Sequence, residues 1–306
     1  MAGKIVIKVE RLRKVYGSTV AVEEVSFEVY EGEIFGMVGP TGAGKTTTTE
    51  CLEGLRDPAA GNIQVFGMNP QKDGYVLRER IGVQLQTAAL QERLKVWEAL
   101  DLFASFYPHP LDYKQLLEQM GLVDKRDAKF GKLSGGQKQR LFIALALIND
   151  PDLVFLDELT TGLDPQARHA MWDMVRGIRD RGKTVFLTTH FMEEAERLCD
   201  RVAIMDRGKI VALDSPENLI RSIRAENRVV FTVEGKFDPQ PFSRLPNVTR
   251  VETNAEKVVV RGKTNHVVVD VVTMLVSNGY RFRDLRTEQP NLEDVFMALT
   301  GHGMRD

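Results

Sequence analysis

The chain has 306 residues, of which 43% are hydrophobic, so it can bury one large core or two smaller ones. Its 41 Lys and Arg residues nearly balance 43 Asp and Glu residues, which excludes a chain-wide field that would attract nucleic acid or anionic lipid. The two cysteines, Cys51 and Cys199, lack the spacing of a metal site or disulfide framework and favour a reducing compartment.

Neither a signal peptide nor a membrane span is predicted. Charges at Lys4, Lys8 and Glu10 interrupt the apolar core that a signal peptide needs. The longest apolar runs, such as LFIALALI at 141–148, fall short of the roughly 18 residues that cross a bilayer. We therefore expect a soluble chain.

The first half of the chain alternates strand and helix patterns. Strand patterns occur in KIVIKVE (4–10), VSFEVYEGE (25–33) and the wholly apolar IFGMVG (34–39), and a helix is predicted after the last of them. From about 91 to 150 three helical patterns follow each other, separated by Pro108, Pro110 and Gly131. A helical insert is therefore predicted in this stretch.

The second half returns to strands. The runs LVFL (153–156), TVFLTT (184–189) and RVAIMDRGKIVAL (201–213) predict strands, with a helix between the first two. Strands that alternate with helices indicate an α/β fold with a parallel, doubly wound sheet. After about residue 220 the composition changes to a small α+β pattern. We expect domains at 1–220 and 221–306, with a helical subdomain at about 87–150.

A glycine-rich turn follows the apolar strand at 34–39. The segment GPTGAGKT fits G-x-x-x-x-G-K-[ST] between a predicted strand and a predicted helix, as in loops that cradle nucleotide phosphates. Lys45 would reach the outer phosphates, and the hydroxyl of Thr46 would face Mg²⁺. A glycine turn that binds nothing is the alternative for this motif alone. The expected nucleotide-binding residues of this loop are Gly39, Pro40, Thr41, Gly42, Ala43, Gly44, Lys45, Thr46 and Thr47.

A second chemical signal is the pair of acids that ends LVFLDE. Successive strand residues point in opposite directions, so Asp157 and Glu158 can do different work at the carboxyl edge of the sheet. Asp157 would hold Mg²⁺, and Glu158 would polarise the attacking water. Without a phosphate loop nearby, a solvated strand end would be the better interpretation.

A third signal is LSGGQ at 133–137, directly before a helix. A serine hydroxyl and exposed glycine amides at a helix start can bind an anion. A single phosphate loop could not use this surface on the same γ-phosphate, whereas two subunits could. The alternative for these five residues is a plain helix cap by Ser134. The segment consists of Leu133, Ser134, Gly135, Gly136 and Gln137.

In this order, GPTGAGKTT, LSGGQ and LVFLDE resemble the ATP-binding cassette (ABC) ATPases over about residues 4–220. The resemblance implies a P-loop NTPase fold with a mixed sheet core and a helical subdomain, ATP hydrolysis with Mg²⁺, and further site residues. Tyr16 is similar to the aromatic residue that stacks on adenine, and Gln86, rather than Gln84, to the metal-contacting glutamine. Asp164 is similar to the D-loop aspartate that bridges two subunits, and His190 to the switch histidine that contacts the γ-phosphate.

One residue departs from the family pattern. The chain has LDELT where the family commonly has LDEPT, so Leu159 stands in place of a proline. Proline fixes φ and removes an N–H donor, so its absence should loosen the turn without removing a ligand. We expect a mild effect on this loop and no loss of activity.

The C-terminal segment that ends in NLEDVFMALTG resembles the extension of ATPases from bacterial ABC-2 type exporters of drugs, antibiotics and lipids. We expect a packing or dimer-stabilising role for it in preference to ligand sensing. The resemblance implies a homodimer, or a pair with a homologous ATPase chain, docked on transmembrane permease subunits at the cytoplasmic face of the cell membrane. Leu90, Leu94 and Trp97 are the docking candidates, with core packing as the alternative for Trp97.

Two other functions are disfavoured. A soluble ABC ATPase acting on ribosomes, DNA or cluster assembly would call for a second cassette, a long coiled coil or a basic stretch, and no nucleic acid partner is expected. A non-catalytic regulatory cassette is disfavoured because Lys45, Asp157, Glu158 and His190 are all intact. The predicted function is that of an ATP-hydrolysing transporter subunit, with a soluble ABC ATPase as the alternative.

Overall fold

The computed structural model describes residues 3–85, 89–223, 226–235, 237–263 and 266–303. They form two compact units, the first extending to Pro216 and the second from Glu217 to His302. No helix in these ranges is both long enough and apolar enough to cross a membrane.

The first unit alternates strands and helices. In chain order its elements are β1 (Ile5–Tyr16), β2 (Thr19–Tyr30), β3 (Ile34–Val38), α1 (Lys45–Leu52), β4 (Ala60–Val65), α2 (Gly74–Arg78), β5 (Ile81–Gln84), α3 (Val96–Ala104), α4 (Tyr113–Gln119), α5 (Gly135–Ala146), β6 (Leu153–Asp157), α6 (Pro165–Asp180), β7 (Thr184–Thr189), α7 (Met192–Leu198), β8 (Arg201–Asp206) and β9 (Lys209–Asp214). The helices α3, α4 and α5 occupy the stretch where the sequence predicts a helical insert.

Two sheets organise this unit. A six-stranded sheet has the order β5-β6-β7-β3-β8-β9, in which all neighbours are parallel except the antiparallel pair β8 and β9. A three-stranded antiparallel sheet has the order β2-β1-β4. The central strands β3, β6 and β7 are buried along their whole length, as expected of parallel strands covered on both faces.

Aromatic side chains join the two sheets. The ring of Phe27 on β2 stacks on Phe35 of β3 at 5.3 Å between centroids, and Phe35 stacks on Phe186 of β7 at 5.5 Å. Phe155 on β6 lies 5.5 Å from Phe186. Large buried rings contribute much of a core's stability, so this cluster fixes the three strands whose carboxyl ends carry the predicted site.

The second unit contains all but the first residue of α8 (Pro216–Ser222), followed by β10 (Asn227–Val233), α9 (Gln240–Ser243), β11 (Val248–Asn254), β12 (Lys257–Gly262), α10 (His266–Ser277), β13 (Phe282–Glu288) and α11 (Leu292–Thr300). Its strands form an antiparallel sheet in the order β11-β12-β10-β13. Phe231, Val260 and Leu275 lie in its own hydrophobic core, and Asn291 caps α11 through a reciprocal bond with Asp294. The unit is therefore an α+β structure with an independent core.

Candidate functional site

The glycine-rich loop leads from β3 into α1 with a backbone that only glycine accommodates. A Cβ on Gly39 would lie 2.2 Å from the carbonyl oxygen of Met205, and one on Gly44 would lie 2.5 Å from that of Ala21. Gly42 and Gly44 also adopt positive φ angles of 81° and 103°. The spacing of these glycines is thus set by close backbone approaches and by the tight turn.

Lys45, the first residue of α1, is folded back over this loop. Its side chain is only 4% exposed, and Nζ donates to the carbonyl oxygens of Gly39 at 2.8 Å and Pro40 at 3.1 Å. Burial lowers the pKa of Lys45, while the carboxylates of Glu158 and Asp157 act in the opposite direction. The ammonium group of Lys45 is therefore placed to bind an incoming anion.

Asp157 ends β6 and is held by two threonines. The parallel register pairs it with Thr188 on β7, and the Thr188 hydroxyl donates to Asp157 Oδ1. Burial raises the pKa of Asp157, whereas hydrogen bonds from Thr188 and Thr46 lower it. The hydroxyl of Thr46 therefore lies near the carboxylate of Asp157.

Glu158 follows the strand in a left-handed conformation with φ of 47°. Its backbone N–H donates to the carbonyl oxygen of Thr188 at 3.1 Å, and its own carbonyl accepts from the Thr161 N–H at 3.2 Å. A positive φ is costly for a residue with a side chain and persists where neighbours hold it. These bonds hold the turn that directs the Glu158 carboxylate away from the line of the strand.

The Glu158 carboxylate lies between the two other predicted catalytic residues. Its Oε1 is 3.9 Å from Lys45 Nζ and 3.5 Å from His190 Nδ1. Its side chain is 10% exposed and that of His190 is 28% exposed. Lys45, Thr46, Asp157, Glu158 and His190 therefore come together at the carboxyl ends of β3, β6 and β7.

The LSGGQ segment forms the cap of α5. Ser134 Oγ accepts from the Gln137 N–H at 3.3 Å, and the Ser134 N–H donates to the Gln137 side chain at 2.9 Å. The helix cap raised as an alternative is therefore present. It leaves the surface of Gly135 open, because a Cβ there would meet nothing within 4 Å. Leu133, by contrast, is buried.

The cap of α5 lies beside the predicted D-loop. Asp164 caps α6 by accepting from the Ala167 N–H at 2.9 Å, and a Cβ on Gly136 would lie 3.9 Å from the Cβ of Ala167. Farther along α5, Gln139 Nε2 donates to the carbonyl oxygen of Leu159 at 2.8 Å. The LSGGQ helix is thus tied to the turn that follows Glu158.

The predicted residues Tyr16 and Gln86 have different outcomes. Tyr16 ends β1 with 39% of its surface exposed, and Lys14 Nζ and Arg56 Cζ lie 5.2 Å and 5.5 Å from its ring centroid. The expected metal contact Gln86 lies outside the described residues. Gln84, two positions earlier, is buried and donates to the carbonyl oxygen of Leu85 at 2.7 Å.

Two site residues were missed in the sequence. Thr188 bonds to Asp157, and the carbonyl of Thr189 accepts from the Gly39 N–H at 3.3 Å, which links β7 to the glycine loop. Their signal was the polar pair that ends the apolar run TVFLTT directly before His190. Their partners could be identified only from the register of the neighbouring strands, which the sequence does not give.

Known proteins are similar to this chain over most of its length. The protein-family profile described as ABC transporter matches residues 22–161. A Nod factor export ATP-binding protein I of Burkholderia lata is 41% identical over 308 residues, covering 98% of each chain. Two solved structures are also similar. An ATP-binding subunit of an ABC transporter is 30% identical with a TM-score of 0.64, covering 71% of this chain and 92% of its own.

The other structure is a bacterial ABC transporter cassette solved as a dimer, 26% identical with a TM-score of 0.62, covering 68% of this chain and 98% of its own. The fold, the site geometry and these similarities all point to the same family. The chain belongs to the ATP-binding, ATP-hydrolysing subunits of ABC transporters.

Proposed function

We propose that this ATPase drives an exporter of the ABC-2 type, whose cargo is a drug, an antibiotic or a lipid. Export is supported by the relatives named for Nod factor export, which match along 98% of the chain. The C-terminal unit supports it as well, because the sequence of that unit resembles the extension of such exporters. The ATPase would act at the cytoplasmic face of the membrane, bound to permease subunits.

The observation that carries the catalytic proposal is that Lys45 Nζ and His190 Nδ1 both lie within 3.9 Å of Glu158 Oε1. Lys45 would bind the outer phosphates, because a cation held by two carbonyls and an acid is ready to accept an anion. Glu158 would orient and deprotonate the attacking water, and His190 would contact the γ-phosphate. Tyr16, exposed at the end of β1, would stack on adenine.

Mg²⁺ fits the oxygen donors at the end of β6. Among the described residues no group of three or more His, Cys, Asp and Glu side chains could enclose a metal ion. Mg²⁺ commonly uses only one or two protein ligands, with phosphates and waters completing its shell. The neighbouring hydroxyl of Thr46 and carboxylate of Asp157 suit that pattern. When bound, the ion would neutralise phosphate charge, and Gln86 is the third proposed ligand.

We further propose that two chains enclose each nucleotide between the phosphate loop of one and the LSGGQ segment of the other. The open surface at Gly135 supports this arrangement, because no described residue of its own chain lies within 4 Å of a Cβ placed there. A related cassette has been solved as a dimer. Closure would be driven by contacts that ATP makes only in the closed pair, and Asp164 would lie at the seam.

A mixing experiment tests this arrangement. Lys45→Ala would disable the phosphate loop, and Gly135→Asp would disable the LSGGQ surface with a negative charge. In a mixed dimer the intact loop of one chain faces the intact LSGGQ segment of the other. Two inactive variants should therefore regain about a quarter of the wild-type rate when mixed one to one. No recovery above either variant alone would contradict the proposal.

A further inference from the structure

A buried glutamate lies on the helix that follows His190. Glu194 is in the first turn of α7, which begins two residues after His190, and only 3% of its surface is exposed. It has no part in the catalytic proposal above. A carboxyl group removed from water is costly unless hydrogen bonds or charges compensate it. The partners of Glu194 therefore indicate what this position achieves.

The first partner is Trp172 on α6. Trp172 Nε1 donates to Glu194 Oε1 at 3.1 Å, and both side chains are buried. One turn earlier on α6, the guanidinium carbon of Arg168 lies 4.3 Å from the ring centroid of Phe191. The Phe191 ring in turn lies 4.1 Å from the ring of His190. These contacts join α6 to the segment between β7 and α7.

The second partner is Thr189, the last residue of β7. Its Oγ1 accepts from the Phe191 N–H at 2.9 Å, which leaves the hydroxyl proton free to be donated. Glu194 accepts from this hydroxyl, and the bond opposes the rise in pKa that burial causes in Glu194. The two bonds of Thr189 thus hold the backbone on both sides of His190.

The third partner is Thr160, in the turn that follows Glu158. Its buried hydroxyl also acts against the rise in pKa that burial causes in Glu194. Thr160 Oγ1 has no other hydrogen-bond partner among the described residues. The same turn is closed by the Thr161 N–H, which donates to the Glu158 carbonyl oxygen. Glu194 therefore also supports the turn that orients Glu158.

The donors around Glu194 match a carboxylate. Burial raises the pKa of Glu194, while the hydrogen bonds and the charge of Arg168 lower it. A carboxylate only accepts hydrogen bonds, and its two oxygens can serve several donors at once. A glutamine of the same shape would present an amide donor in place of one of these oxygens. At least one of the present donors would then lose its acceptor.

The partners of Glu194 reach both residues that are proposed to act on water and the γ-phosphate. His190 Nδ1 makes no hydrogen bond to a described residue, so its backbone and the Phe191 ring place the imidazole. We propose that Glu194 is a positioning residue for hydrolysis, whose carboxylate holds the turn after Glu158 and the backbone around His190 in one arrangement with α6. The inference rests on the proposed roles of Glu158 and His190.

Glu194→Gln tests this position, and Glu193→Gln is the matched control, because Glu193 is the preceding residue and forms an exposed ion pair with Arg197. Glu194→Gln should lower kcat about ten- to hundredfold, as expected when reacting groups are misplaced. The dissociation constant of ATP should stay within about threefold, because the phosphate loop lies outside these contacts. Glu193→Gln should change neither quantity. A kcat of Glu194→Gln within about threefold of wild type would overturn the inference.

A double-mutant cycle separates positioning from a merely structural effect. If Glu194 acts through Glu158, the loss caused by Glu194→Gln should shrink at least about threefold in a Glu158→Gln background, measured as single-turnover hydrolysis. A loss of the same size in both backgrounds would show independent effects and overturn the inference, while the role of Glu158 would stand. Unchanged turnover in Glu158→Gln alone would contradict the proposed role of Glu158 itself.

A pair of variants at Thr189 tests the inference even if Glu194→Gln fails to fold. Thr189→Val keeps the shape of the side chain and removes its donor, whereas Thr189→Ser keeps the hydroxyl. Thr189→Val should lower kcat at least about tenfold and Thr189→Ser less than about threefold, with ATP binding unchanged in both. Equal kcat values for the two variants would overturn the inference.

Discussion

Lys45 Nζ and Glu158 Oε1 lie 3.9 Å apart, which joins the first residue of α1 to the turn that follows β6. The lysine is also bonded to two carbonyls of the phosphate loop, so its charge is already shared among several acceptors. A bound γ-phosphate would compete with these acceptors for Lys45. Glu158 would then be freed to act on water, as a base must be.

Glu158→Gln should separate binding from turnover. The amide keeps the shape of the side chain but cannot take a proton, so ATP should still bind while turnover falls by about two to three orders of magnitude. An ATP-dependent dimer should accumulate on a sizing column. Glu193→Gln, which removes an exposed carboxylate from α7, is the control and should leave the rate unchanged. Turnover within about tenfold of wild type would remove Glu158 from its proposed role.

Gly135→Ala should damage the dimer without harming the monomer. A Cβ there meets nothing within 4 Å, and alanine in a first helical turn should raise the free energy of unfolding by about 0.5–1 kcal/mol. Turnover should nevertheless fall at least about a hundredfold, since the added methyl would occupy the space proposed for the partner's phosphate. Urea unfolding and an ATPase assay would measure the two effects.

Gly44→Ala provides the contrast. Its Cβ would lie 2.5 Å from the carbonyl oxygen of Ala21 within the same chain, and φ is 103°. Stability and ATP binding should both fall in the isolated chain. If Gly135→Ala also lowered the stability and ATP binding of the isolated chain, its effect would not come from blocking the open surface at Gly135.

These cases show what the sequence could and could not predict. The phosphate loop was predictable because the glycine spacing reports local backbone geometry at Gly39, Gly42 and Gly44. The partners of Asp157 were not, because Thr188 meets it only through the register of neighbouring strands. The burial of Glu53, a charged residue at the end of α1, could not be predicted either, because it depends on helices far along the chain. Non-local packing decides such positions.

Leu159→Pro should change stability more than catalysis. The sequence suggested only a looser turn, but the Leu159 side chain is buried at 4% exposure. We expect the ATPase rate to stay within about tenfold and the free energy of unfolding to fall by about 2 kcal/mol as apolar contacts are lost. Leu159→Ala loses similar contacts without fixing φ, so the difference between the variants isolates the effect of proline. A rate change above about tenfold in Leu159→Pro alone would refute the mild role of this turn.

Glu53 should make stability depend on pH. Folding raises its pKa from the ordinary value of 4.5 to about 8, so the native chain holds a proton that the unfolded chain releases in this window. Its contribution is fully present below pH 4.5 and is lost as pH rises through about 8. The loss amounts to about 1.4 kcal/mol per unit of pKa shift at most.

Urea unfolding of wild type and Glu53→Gln at a series of pH values would measure this contribution. Glutamine does not titrate, so the stability of the variant relative to wild type should rise between pH 4.5 and about 8. Glu193→Gln, which removes an exposed carboxylate from α7, is the control and should keep the pH curve of wild type. Parallel pH curves for wild type and Glu53→Gln would show that this carboxyl has an ordinary pKa.

The most direct measurement is the ATPase rate per chain as a function of chain concentration. A nucleotide enclosed between two chains has no complete hydrolytic site in a monomer. The rate per chain should therefore rise in proportion to concentration when the chain is dilute and level off once dimers predominate. A rate per chain that stays constant down to concentrations at which only monomer exists would contradict the account.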